Sequence, residues 1–357
     1  MNDTMRAARW HAAGDVRVED VPIPAPGDGE VLVRVERAGL CGTDLEEYLE
    51  GPVLIPVTRP HPRTGGRAPI VLGHELVGTV VATTTHDGPA VGTRVVPDGV
   101  VGCGSCWWCL RHEEILCPTV DARGLQSDGG LAEYLVAEAA TCVTVPATVP
   151  VDVAAFAEPV AVAVRALAKA GDLTGRGVVI VGAGVIGQLV AQVALHSGAT
   201  SVLAVDPVED RRRLASRFGA HSCPPGDGPA TVAELTDGRG ADVVVECSGA
   251  PGTLAGSVAL SRPGGTIVLV GLRAGDEPVP LLPVVLGERR LVGTASHLWD
   301  VDIAAAVALL SRGVVATEPL LTATVPLERV VPDGFERLRT DRTTLKILVD
   351  PRAAAPE

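Results

Sequence analysis

The stretch VVIVGAGVIGQ, residues 178–188, decides the fold. Four β-branched residues run straight into Gly182, Gly184 and Gly187, and an apolar segment of helical composition follows, LVAQVALHSGA. A lone G-x-G-x-x-G says little. Between a strand and a helix it acquires a mechanism, because glycines allow a tight turn and close approach of a pyrophosphate, while the helix N-terminus supplies free amides and positive potential. Nineteen residues past Gly187, Asp206 ends the next apolar run, SVLAVD. A carboxylate there can accept from an adenosine ribose diol and repel a 2′-phosphate, which favours NAD over NADP. The arginines at 211–213 keep NADP open, against the reading of a solvated helix face.

Working outward, ADVVVECSG and GGTIVLVGL continue the alternation of short Val/Ile/Leu runs with helix-like segments, the pattern of buried parallel strands. Upstream the pattern differs. VRVEDVPIP, EVLVRVERAG, IVLGHELVGTVVAT, RVVP, AEYLVAE and TCVTVP read as short strands punctuated by Gly and Pro, hence a β-rich, barrel-like domain. A helix-length apolar run, VAAFAEPVAVAVRALAKAG, opens at 153 and sets a domain boundary near 155. After LVGTASH the chain reads as a helix, VDIAAAVALLSRG, and a last strand, LKILVDP, that can return to the first domain. The expected division is therefore residues 1–155, 156–297 and 298–357.

A chain of 357 residues exceeds one ordinary core and suits two domains. With 46% hydrophobic and 20% charged residues it should fold as a globular protein. A net charge of −13 opposes nucleic acid or an anionic membrane as the main partner, so a small molecule is the expected one. No segment has the length of apolar residues that a membrane span or a signal-peptide core requires, and the expected location is the cytoplasm. The two lysines, Lys169 and Lys346, against 28 arginines read as base-composition bias.

In a reducing compartment clustered cysteines favour metal or catalysis over disulfides. Cys103, Cys106, Cys109 and Cys117 fall within GCGSCWWCLRHEEILC at spacings that let one loop wrap a tetrahedral ion. Structural zinc is the expectation, with an iron–sulfur cluster as rival. Four thiolates leave no open corner for substrate, so the chemistry lies elsewhere. Candidates for an open metal site are Cys41 in GLCGTDLEEY, His74 and Glu75 in LGHELVG, and Glu158 in AEPVAVAV. Each alone has a plain alternative as a small core residue, a buried histidine or a helix-start charge. Together, beside the four-cysteine loop, they point to a second metal.

These residues resemble the zinc-dependent medium-chain alcohol dehydrogenases over nearly the whole chain, from MRAARWH to LKILVDP, and CGTDLEEYLEGPVLIP, HPRTGGRAPIVLGHE and AEPVAVAV are similar to the butanediol and sorbitol dehydrogenase branch. The resemblance implies a GroES-like β-barrel catalytic domain and a Rossmann doubly wound parallel-sheet domain, with the active site in the cleft between them. It implies two zinc ions per chain and NAD(H), and a homodimer or homotetramer. Cys41, His74 and Glu158 stand at catalytic zinc positions, and Glu75 at a carboxylate that replaces or exchanges with Glu158. Asp44 would orient His74, and Thr43 would bond the substrate oxygen. Gly182, Gly184, Val185, Ile186, Gly187, Asp206, Arg211, Ser248 and Gly271 make up the candidate cofactor-binding set. Where the branch usually has a proton-relaying histidine, this chain has Glu46. Leu76 and Val77 also depart from the Phe-Ser often found after the GHE. The expected reaction is hydride transfer between a secondary alcohol, of vicinal diol or α-hydroxyketone type, and NAD, with a larger polyol, amino-cyclitol or secondary-metabolite alcohol as the alternative substrate.

Overall fold

Val31, Val33 and Val35 point alternately into a core from the strand Glu30–Gly39, and this strand organises the first half of the chain. In the computed structural model, which describes residues 3–273 and 275–354, it pairs antiparallel with Glu75–Thr83, Tyr134–Glu138 and Lys346–Asp350. The sheet runs Cys142–Thr144, Arg94–Pro97, Glu75–Thr83, Glu30–Gly39, Lys346–Asp350, Leu321–Pro326. Strand Lys346–Asp350 thus crosses more than 300 residues of sequence to bring Leu348 opposite Gly39. This sheet lies in a unit drawn from Met1–Glu158, His297–Arg312 and Thr317–Glu357.

Three local readings differ from the sequence expectation. A strand at Thr4–Ala12 pairs with Asp15–Pro22; its buried positions are Met5, Ala7, Ala8 and Trp10, so two adjacent buried alanines break the apolar alternation. The run 70–83 is not one strand: Ile70–Val71 and Glu75–Thr83 are separated by Leu72–His74, where Gly73 has φ of 98° and packs on Leu131 and Gly130. The helix expected from 153 is two, Val151–Ala154 and Ala157–Ala170, broken at Ala155 and the buried Phe156.

The second unit comprises Pro159–Ser296 and Gly313–Ala316. Its six strands are all parallel, in the order His221–Cys223, Ser201–Val205, Gly177–Val181, Ala241–Glu246, Ser261–Leu269, Arg290–Gly293. In chain order this is 3-2-1-4-5-6, the doubly wound arrangement whose ligands bind at the carboxyl ends of the strands beside the switch point. The edge strands His221–Cys223 and Arg290–Gly293 were not apparent as apolar runs, since edge positions are half solvated. Among the described residues no helix is long and apolar enough to cross a membrane.

Candidate active site

Cys41 sits just before the helix Gly42–Glu50, at its N-cap position. Asp44, fully buried in the first turn of that helix, turns one carboxylate oxygen back to accept from the Cys41 amide at 3.0 Å. Its other oxygen faces His74 Nδ1 at 3.5 Å. The two atoms have no other hydrogen-bond partner, so Asp44 is placed to fix the ring and leave Nε2 for a ligand. Thr43 Oγ1 lies 3.9 Å from Cys41 Sγ.

His74 is available because the strand breaks at Gly73, and Glu75 because it opens the next strand in register with Gly39. A Cβ at Gly39 would collide with Glu75 Oε2, so this glycine makes room for the carboxylate. Lys346 Nζ, itself buried, donates to Glu75 Oε2 at 2.5 Å and to the Leu40 carbonyl at 3.0 Å. Burial alone would lower the Lys346 pKa, but Glu75 and then Cys41 hold it above its ordinary value. One of the two lysines therefore belongs to the site; its isolation among 28 arginines was the signal, first attributed to base composition.

Cys41, His74 and Glu75 bring their donor atoms within 4.8 Å of one another. Such a thiolate, imidazole and carboxylate set fits zinc with one corner open. Burial pulls the His74 pKa down, yet Asp44 and Cys41 outweigh it and the ring is held well above its ordinary value. Glu158 is not one of the three: its carboxylate meets His297 Nδ1 at 3.2 Å, and His297 Nε2 meets Asp98 at 3.0 Å. No motif marked His297 or Asp98.

The four-cysteine loop folds through two short 3₁₀ turns, Cys109–Arg111 and Glu114–Leu116. Sγ–Sγ distances of 3.5 Å (Cys106 to Cys109) and 4.0 Å (Cys103 to Cys109) bracket the ~3.8 Å edge of a tetrahedron with Zn–S bonds of about 2.3 Å. All four donors lie within 4.8 Å, which suits one ion. An iron–sulfur cluster would divide the thiolates among two or four irons and spread them apart. The amides of Cys103, Cys106 and Cys109 each donate to a cysteine sulfur of the loop.

In the second unit Gly182 has φ of 94°, and a Cβ at Gly187 would collide with the Gly182 carbonyl. Val185 and Ile186 begin the helix Val185–His196 behind this turn. The buried Asp206 accepts from the Ala183 amide at 2.7 Å and the Val208 amide at 2.8 Å, which fixes it against the glycine turn. Arg213 pairs with Asp210 on the surface, Arg212 donates to the Asp206 carbonyl, and Arg211 Nε has no partner. Ser248 packs on Gly182, while Gly271 closes on Gly249. The buried Glu246 gathers this corner, accepting from the Ser248 amide and hydroxyl and the Gly249 amide. Glu246 was missed because a strand-end glutamate has no distinguishing pattern. Glu46 lies half-buried on the helix Gly42–Glu50. Its neighbour Glu47, fully buried, accepts from the amides of Val53, Leu54 and Ile55 instead.

A doubly wound domain with a phosphate-cradling turn, joined in one chain to an open thiolate–imidazole–carboxylate group, defines a metal- and dinucleotide-dependent oxidoreductase. Comparison with known proteins agrees. Residues 27–147 match the alcohol dehydrogenase GroES-like domain and residues 185–312 the zinc-binding dehydrogenase domain. The (R,R)-butanediol dehydrogenase of Bacillus subtilis is 31% identical over 97% of this chain and 100% of its own. The crystal structure of 2R,3R-butanediol dehydrogenase from Bacillus subtilis superposes with a TM-score of 0.91 at 31% identity, covering 98% of this chain and 100% of that one. A zinc-binding dehydrogenase of Sinorhizobium meliloti 1021 bound to NADP gives a TM-score of 0.87 at 30% identity over 98% of this chain and 99% of that one. The chain belongs to the zinc-dependent medium-chain alcohol dehydrogenases, on their butanediol dehydrogenase side. It is an enzyme that oxidises a secondary alcohol or reduces the corresponding ketone.

Proposed function

We propose that Cys41, His74 and Glu75 hold a catalytic zinc, that Cys103, Cys106, Cys109 and Cys117 hold a structural one, and that the substrate is a vicinal diol or α-hydroxyketone used with NAD. The observation that carries this reading is the convergence of Cys41, His74 and Glu75 within 4.8 Å, from two segments of sequence, as one sulfur, one imidazole and one carboxylate donor. When bound, zinc supplies a Lewis acid that lowers the pKa of the alcohol and favours its anion. Thr43, beside Cys41, takes the hydroxyl proton, and Glu46 carries it toward solvent. Asp44 keeps His74 oriented, and Lys346 keeps Glu75 folded over Gly39. Nicotinamide, when bound by the second unit, would supply the hydride acceptor.

The turn Gly182–Gly187, with Val185, Ile186, Ser248 and Gly271, binds the dinucleotide, and Asp206 accepts from the ribose hydroxyls. Support for NAD is the single buried carboxylate at the end of its strand; the unpartnered Arg211 Nε and the NADP of the Sinorhizobium relative favour the competing reading. The diol assignment draws on the butanediol for which the relatives are named. Leu76 and Val77, buried behind Glu75, leave a larger polyol or cyclitol as the second reading.

The enzyme acts in the cytoplasm as a homodimer or homotetramer, a reading supported by the eight free thiols and by one apolar face. On that face Leu281, Leu282, Val285 and Leu286 are each 60% or more exposed beside the unpaired edge of Arg290–Gly293. Metal content and an activity screen over diols, polyols and cyclitols with both coenzymes test the whole reading. Two zinc ions per chain and highest kcat/KM on a vicinal diol with NAD are expected. One zinc, or equal efficiency with NADP, overturns the corresponding part.

A further inference from the structure

His297 lies in GTASHLWD, a segment without a recognisable signal, and it is almost completely buried. A histidine so placed must satisfy both ring nitrogens, and here each faces a carboxylate: Asp98 at 3.0 Å and Glu158 at 3.2 Å, both buried. The Asp98 end is anchored. Its amide donates to the Thr141 carbonyl, its carboxylate also accepts from the Val100 amide at 2.9 Å, and its carbonyl accepts from Arg123. The free end is Glu158, in the first turn of the helix Ala157–Ala170.

His297 and the metal group share a wall. A Cβ on Gly99 would stand 3.8 Å from His74 Cβ and 3.9 Å from His297 Cε1, so the two histidines flank one glycine. A buried carboxylate this close to a zinc site normally ligates, because nothing else nearby offsets its desolvation as well. Glu158 nevertheless stands outside the group formed by Cys41, His74 and Glu75. The difference between the two carboxylates is their partner: Glu75 turns to Lys346, across the intervening strand Glu30–Gly39, and Glu158 turns to His297.

We propose that His297 is a positioning residue that holds the Glu158 carboxylate out of the zinc ligand set, leaving three protein donors and a corner for the substrate oxygen. Without the imidazole, Glu158 would be a buried anion left with only the shared Lys346 and the metal group as neighbouring positive charge, and its carboxylate would close the fourth corner. The inference rests on the reading that Cys41, His74 and Glu75 hold the zinc.

The test uses the holoenzyme with cobalt(II) exchanged for zinc, read by its visible ligand-field bands; the four-thiolate lobe contributes the same background in every variant. Glu158→Gln in the otherwise unchanged protein should leave the bands as they are. His297→Ala should shift them, abolish their response to added 2,3-butanediol, and slow metal removal by a chelator about tenfold or more, since groups around a ligand set tune affinity by 10–100-fold. His297→Ala/Glu158→Gln should restore the original bands. His297→Asn, whose side-chain amide can donate to Glu158 in place of Nδ1, should keep them too, which separates lost positioning from a damaged fold. Altered bands in Glu158→Gln alone would make Glu158 a ligand and overturn the proposal, as would unaltered bands in His297→Ala. If the wild-type enzyme takes up only the cobalt of the four-thiolate lobe, the reading of the second metal group falls instead, and the role of His297 with it.

Discussion

Lys346 shows how one residue can be decisive without belonging to any motif. Its ammonium and the Glu75 carboxylate are both buried, and removing one partner of such a pair leaves an uncompensated charge costing about 3–5 kcal/mol. Lys346→Met should therefore lower the stability of chelator-treated protein by that amount, and by much less when zinc is loaded, because the metal then answers Glu75. Chemical denaturation with and without metal reads the difference; equal losses in both states would mean that Glu75 does not face the ion. Asp206 presents a similar economy, since its two oxygens fix the Ala183 and Val208 amides and the same carboxylate is the proposed acceptor for a ribose. Asp206→Ser should shift the NAD to NADP ratio of kcat/KM toward NADP by about tenfold or more, a change of only about 1.4 kcal/mol in charge repulsion. An unchanged ratio would place coenzyme choice with Arg211 and its neighbours. Glu46→Gln removes a proton acceptor while keeping its shape, so alcohol oxidation should slow and change its pH profile, and Glu46→His should recover much of the rate. Identical pH profiles in Glu46→Gln and wild type would return Glu46 to the surface.

Elements place these side chains by their interruptions more than by their regular parts. The break at Leu72–His74 frees His74 from the strand, and the N-terminus of Gly42–Glu50 offers its amides to Cys41. The cysteine loop is held by little regular structure, so the proposed metal would serve as its core. Cys103→Ser should accordingly lower the melting temperature, whereas Cys41→Ser should abolish turnover with the fold retained. The stripped loop has its own signature. Hydrogen bonds from the Ser105 amide and hydroxyl bring the Cys103 thiol down to about 6, whereas burial pushes Cys109 up to about 12. A lowered pKa populates the thiolate above that pH, so iodoacetamide labelling of chelator-treated protein should begin at Cys103, rise through pH 6 and level off above it. Peptide mapping that finds Cys109 labelled first would contradict this order.

At the scale of the whole molecule the unfinished surface is the edge strand Arg290–Gly293 with the helix Leu281–Leu286 beside it. An unpaired strand edge next to exposed leucines invites another strand, and a second copy of this chain brings the same edge in reverse, as two-fold symmetry requires. Val285→Asp combined with Leu282→Asp should yield a monomer of 36.6 kDa by light scattering, with its glycine turn intact. An oligomer that survives both charges would have to use another face.

The glycine turn, the parallel strands and the candidate donors of the two cysteine-bearing groups were legible from sequence because local chemistry marks them: glycines at a strand-to-helix turn, β-branched runs, thiols at loop spacing. The strand Thr4–Ala12 escaped because two adjacent buried alanines break its apolar alternation, and the breaks at Gly73 and Phe156 because apolar periodicity does not reveal where a chain turns aside. Partner choice was invisible for a different reason. Glu75 and Glu158 both read as zinc ligands along the chain, and the distinction came from Lys346, 271 residues from one, and His297, far from the other. The sequence by itself determined which donors exist and the turns that present them. Only the tertiary structure decided which buried carboxylate meets the lysine and which the histidine, since a buried charge is governed by its nearest counter-charge in space and not by its neighbours in sequence.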